Sequence, residues 1–152
     1  MSQEDAEDVC FARYVLEDAS FDRGFGPNRK ELVKNLRLAL EHMSVAARTD
    51  DMDALVAADT RFHELLIDVS GRRRLKDLWS MLNSQMGALM RAEIDRQGIG
   101  LQEALERHRG LLEAVSEGDI SRFRRELRFH YLREFPSSDG LVPSPPDRAG
   151  DM

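Results

Sequence analysis

In every segment between glycines and prolines, apolar residues recur at three- and four-residue spacing, and no stretch alternates apolar with polar. This periodicity restricts the chain to helices that bury one stripe each against their neighbours, so the fold class is all-α. Six helices are expected. The first spans 5–20, with Val9, Ala12, Leu16 and Ala19 along one stripe, and is broken by Gly24, Gly26 and Pro27. Asn28 is an N-cap for the second, which carries Leu32, Leu36, Leu40 and Met43. Thr49-Asp50-Asp51 caps the third, which turns Leu55, Phe62, Leu66 and Ile67 one way and ends at Ser70-Gly71. The fourth is long, 73–96, with Leu75, Leu78, Trp79, Leu82, Met86, Leu89 and Met90 inward, and stops at Gly98 and Gly100. The fifth covers 101–116 with Leu105, Leu112 and Val115 inward. Gly118-Asp119 opens the sixth, lined by Ile120, Phe123 and Leu127. From Pro136 the sequence turns to Pro-Ser-Ser-Asp-Gly and Pro-Ser-Pro-Pro, too poor in apolar residues to order itself. The expected architecture is therefore one six-helix bundle over 5–135 with a disordered tail over 136–152.

Composition narrows the function classes. The 152 residues suit a single domain, and 41% hydrophobic content suffices for a packed core. The net charge of −6 argues against a chain that grips nucleic acid by itself, since that needs clustered Lys and Arg to displace counterions from phosphates. Cys10 is the sole cysteine, which excludes an internal disulfide and fits a reducing compartment. The N-terminus is acidic and lacks the pattern of a secretory signal. No apolar run approaches the roughly 20 residues of a membrane span. Cytoplasmic localisation is expected.

Polar residues occupy positions where the stripes call for apolar ones. Asp59 lies four after Leu55 and three before Phe62, and His63 follows one turn later on the same face. His108 falls between Leu105 and Leu112, and His130 comes three after Leu127. An ionised carboxylate taken out of water must be paired or bound to a cation. One Asp and three His form a nitrogen and oxygen donor set suited to zinc, nickel, manganese or iron rather than calcium. The same residues also fit hydrogen-bonded core histidines with Asp59 paired to a buried arginine. His42 lies off its stripe and is expected at the surface. Met81, Met86 and Met90 read as core packing, and Arg72-Arg73-Arg74 as the solvated start of a helix. Arg13, four after Val9 and three before Leu16, either turns inward to grip a carboxylate or lies in an ion pair or at the surface.

Three classes remain open on these residues: a metal-dependent sensing domain, a metal-dependent helical enzyme (a hydrolase or thiol transferase), and a stand-alone metal-binding structural bundle. For an enzyme, no further inward carboxylate falls on the stripes as a general base, and Glu126, one turn before His130, is the nearest.

The sequence resembles a known family. Arg13-x-x-Leu16-Glu17, then Asp59-x-x-Phe62-His63, Ser70-Gly71, Glu106-x-His108, Leu111-Leu112-x-Ala114-Val115-x-x-Gly118-Asp119 and His130 are similar to the FCD domain. That is the ligand-sensing C-terminal domain of FadR-type GntR transcription regulators. The resemblance implies that Asp59, His63, His108 and His130 hold a divalent transition metal, zinc foremost, with nickel, manganese or iron as alternatives. It also implies that a small carboxylate effector binds the metal with help from Arg13, that the protein is a homodimer, and that it is not an enzyme. The resemblance further implies that the six-helix bundle is antiparallel, and six helices rather than seven are similar to the VanR-type subgroup. Arg72 stands where the family often has Asn, so effector identity does not transfer. The winged-helix domain through which such regulators contact DNA is not expected within this chain.

Overall fold

The computed structural model describes residues 2–97 and 100–132. Helix α1 spans Gln3–Ala19, α2 Arg29–Arg48, α3 Met52–Ile67, α4 Arg73–Asn83, α5 Met86–Gln97, α6 Leu101–Glu117 and α7 Ile120–Leu132. A single 3₁₀ turn, Asp68–Ser70, follows α3, and no strand occurs among the described residues. The expected tail over 136–152 lies outside those residues.

Local chemistry sets most boundaries where the sequence places them. Ser2 and Asp5 form a reciprocal capping box at the start of α1. Asp51 caps α3 by accepting from the Ala54 N–H at 3.0 Å, and Asp119 accepts from the Arg122 N–H at 2.9 Å ahead of α7. Asn28 precedes α2 but its side chain makes no capping bond. Gly118 closes α6 at φ +70°, a backbone that favours glycine, and the Arg29 guanidinium donates to the freed carbonyls of Val115 and Ser116 at 3.1 and 2.7 Å.

The expected long fourth helix is two helices, so the described residues hold seven rather than six. That removes the basis for the VanR-type subgroup. The break falls at Asn83-Ser84, two residue types with weaker helix propensity than Leu, Met or Ala. Helix α4, with fully buried Trp79, packs on α1 and α3, and α5 packs on α3 and meets Val9 of α1 through Met86 and Leu89. Leu78 and Met81, expected inward, are 53% and 72% exposed as a result.

The core is continuous. Helix α2 lies between α3 and α6, and α1 lies against α7, which in turn packs on α6. Leu36, Met43, Leu55, Phe62, Leu66, Leu111 and Phe123 are fully enclosed, and Phe21, Phe25 and Phe123 meet ring to ring at one end. Helix α1 presents Val9, Arg13 and Glu17 to this interior, while Ala19 is exposed and Leu16 half-buried. The stripe expected on α1 is therefore displaced toward charged residues. None of the described helices is long and apolar enough to cross a membrane.

Candidate metal centre

Helical phase decides which side chains meet at the centre. On α3, Asp59 and His63 are one turn apart on the buried face, which runs from Leu55 to Leu66. On α6, His108 lies between Leu105 and Leu111 on the buried face. On α7, Phe123, Leu127 and Tyr131 form the inward row, and half-buried His130 sits beside it. The structure brings one donor atom from each of Asp59, His63, His108 and His130 within 4.8 Å of one another. The ring centroids of the three histidines lie 4.6–5.4 Å apart. His42 is exposed on α2, away from this group.

A transition-metal ion at roughly 2.0–2.2 Å from each donor spaces its ligands roughly 3 to 4.4 Å apart. His108 Nε2 lies 2.6 Å from Asp59 Oδ1, and His63 Nε2 lies 3.3 Å from His108 Nε2 and 3.5 Å from Asp59 Oδ1. These separations and the 4.8 Å outer limit fall within a few tenths of an ångström of that range. His130 Nδ1 is buried and has no hydrogen-bond partner among the described residues. The residues present fit a divalent ion.

The far nitrogens orient the rings. His108 Nδ1 donates to the Ala104 carbonyl at 2.9 Å, leaving Nε2 as the ligand atom facing Asp59. His63 Nδ1 donates to Glu17 Oε1 at 2.6 Å, with Nε2 turned to the cluster. Glu17 is fully buried and accepts further bonds from Trp79 Nε1 at 3.3 Å, Arg13 Nε at 3.4 Å and the Tyr131 hydroxyl. That hydroxyl also lies 3.0 Å from His63 Nδ1.

Electrostatics match the geometry. Burial opposes charge on His63, but the carboxylates of Glu17 and Asp59 outweigh it and raise the imidazolium from 6.5 to about 9. Burial likewise opposes ionisation of Asp59 and Glu17, yet His63 and the hydrogen bonds they accept hold both below the usual carboxylate range, Asp59 well below. Burial, together with neighbouring His108 and His63, pushes His130 well below its ordinary value, which suits a neutral ligand. Burial lifts the Tyr131 phenol well above 10.

Arg13 is fully buried and stacks its guanidinium 4.9 Å from the Trp79 ring centroid and 5.6 Å from that of Tyr131. Its ion-pair partner is Glu17, not Asp59. Its two terminal nitrogens are buried without hydrogen-bond partners among the described residues, and it is not among the residues lining the adjoining cavity. That cavity, about 520 Å³, has Asp59, His63, His108 and His130 at its floor. Glu126 also stands outside the cavity wall: it pairs with Arg122 at 3.8 Å and packs against Gly110.

Glu17 and Tyr131 are the functional residues that the sequence stripes missed. The signal was present in the chain, since Val9, Arg13 and Glu17 repeat at four-residue steps, as do Phe123, Leu127 and Tyr131. Placing Leu16 on the stripe obscured the first of these rows.

The family model described as the FCD domain matches residues 8–133. A gluconate operon transcriptional repressor of Bacillus licheniformis is similar, 24% identical over 135 residues. The match takes in 86% of this chain and 56% of that protein, so the chain spans little more than half the length of its curated relative. No solved structure matches the chain significantly.

Two outcomes follow for this centre. Replacing Glu17 by Gln removes the charge that orients His63, and zinc affinity by competition with a chelator should fall roughly 10- to 100-fold. An unchanged affinity would detach Glu17 from the site. In the metal-free protein, the raised value at His63 contributes stability that is fully present below 6.5 and lost as pH rises through about 9. Asp59 and Glu17, with lowered values, contribute stability above 3.8 and 4.5 that disappears as pH falls. Melting in chelator should therefore shift to lower temperature from pH 6.5 to 9, while added zinc, competing with the His63 proton, should restore more stability at higher pH. A metal-free midpoint that climbs over this interval contradicts the assignment.

Proposed function

The chain belongs to the FCD domain family, and from that premise we propose that it is the metal-dependent, carboxylate-sensing part of a GntR-type transcriptional regulator. The observation that carries this reading is the convergence of Asp59, His63, His108 and His130 at the floor of a cavity. These four residues would hold the ion, with zinc favoured by the nitrogen-rich set. The ion supplies a Lewis-acidic anchor for an oxygen ligand.

Charge balance supports a carboxylate as that ligand. Asp59 and Glu17 bring two negative charges and Arg13 one positive, with His130 and Tyr131 neutral. A divalent ion in place of the His63 proton leaves the buried group with one positive charge, which a single carboxylate neutralises. Arg13 as a ligand-binding residue would use its terminal nitrogens, unpartnered among the described residues, and would have to turn toward a cavity that it does not line.

The regulatory unit is residues 5–135, acting as a cytoplasmic homodimer. DNA would be contacted through a winged-helix domain outside this chain, in keeping with the greater length of the relative. The effector ties α1, α3, α6 and α7 together, and its differential affinity for two helix arrangements shifts their populations. Binding without bond cleavage is expected, and Glu126, the candidate base read from the sequence, stands outside the cavity.

Protein purified without added metal should carry roughly one equivalent of a transition metal per chain, lost in His63→Ala. Carboxylic acids should raise the melting temperature of the loaded protein and not of the metal-free protein, with no product formed. Absence of metal from the wild-type chain, or turnover of the acid, would overturn the reading.

A further inference from the structure

Above the floor, the cavity wall is chemically one-sided. Met86, Leu89 and Ile94 of α5 are buried and Met90 is half-buried, and all four line the cavity. Ala104 of α6 and Leu132 of α7 extend the same surface. None of these side chains carries a hydroxyl, an amide or a charge, and the methionine thioethers are only weak acceptors. Several of the polar lining residues, Gln3, Glu7, Asp8 and Arg128, are exposed and mark the mouth. Half-buried Glu93 and Arg107 stand between mouth and floor. The volume of about 520 Å³ lies in the range of small-molecule sites and far exceeds what a bare carboxylate fills.

We propose that the ligand is a monocarboxylic acid with an apolar body, aliphatic or aromatic, whose carboxylate sits at the floor and whose body lies against α5. This rests on reading the floor as a metal-held carboxylate site, and it adds what the rest of the molecule must be. A polyhydroxylated acid such as gluconate, the metabolite in the relative's name, would turn hydroxyls toward Met86, Leu89, Met90 and Ile94. Hydroxyls on that side would lose water without gaining partners, because between mouth and floor only Glu93 and Arg107 among the described residues offer polar groups. An apolar body instead gains from every methylene it buries.

The experiment titrates the zinc-loaded 152-residue protein by calorimetry with acetate, butanoate, hexanoate and gluconate, and repeats acetate and hexanoate on Met90→Gln. Affinity should rise about fourfold per added methylene. Hexanoate should bind more tightly than gluconate, and Met90→Gln should weaken hexanoate severalfold while leaving acetate unchanged. A flat chain-length series, or gluconate binding more tightly than hexanoate, overturns the apolar-body inference and leaves the metal-held carboxylate site standing. Failure to retain zinc, or failure of all four acids to bind the loaded protein, overturns the site reading and this inference together.

Discussion

The arrangement depends on two carboxylates that the fold removes from water. Asp59 and Glu17 flank His63 on opposite sides, and neither can stay ionised in that position without cationic partners. Meeting this requirement draws α1, α3, α6 and α7 to one point. Glu17 is satisfied by Arg13, Trp79, Tyr131 and the near nitrogen of His63. Asp59 is satisfied by Nε2 of His63 and of His108, the same atoms that would serve a metal ion. The proton that His63 retains up to about 9 and the proposed divalent ion are therefore alternative occupants of one electrostatic role.

This accounts for the organisation around the centre. Trp79 and Tyr131 enclose Arg13, so the cation that balances Glu17 is itself screened from solvent. The division of the expected fourth helix has a functional counterpart. Helix α4 closes the back of the site with Trp79, whereas α5 turns Met86, Leu89, Met90 and Ile94 toward the cavity.

Helical phase made much of this legible in the sequence. Asp59, His63, His108 and His130 stood out because each interrupts an apolar stripe, and the side chains converge as that interruption implies. Capping residues Asp51 and Asp119 and the left-handed Gly118 likewise act where the chain suggested. Glu17 was obscured because α1 buries an ion-paired row in place of an apolar one, and hydrophobic periodicity cannot register a charge that is neutralised by another helix. The break after Asn83 was obscured because Trp79 and Met86 are seven residues apart, a spacing that a continuous helix would also produce.

X-ray absorption at the zinc edge of the loaded protein reads the ligand shell directly. Coordination by Asp59, His63, His108 and His130 predicts nitrogen and oxygen scatterers at roughly 2.0–2.2 Å, with the multiple-scattering signature of imidazole rings. A sulfur scatterer near about 2.3 Å, or a shell without imidazole scattering, would contradict that assignment.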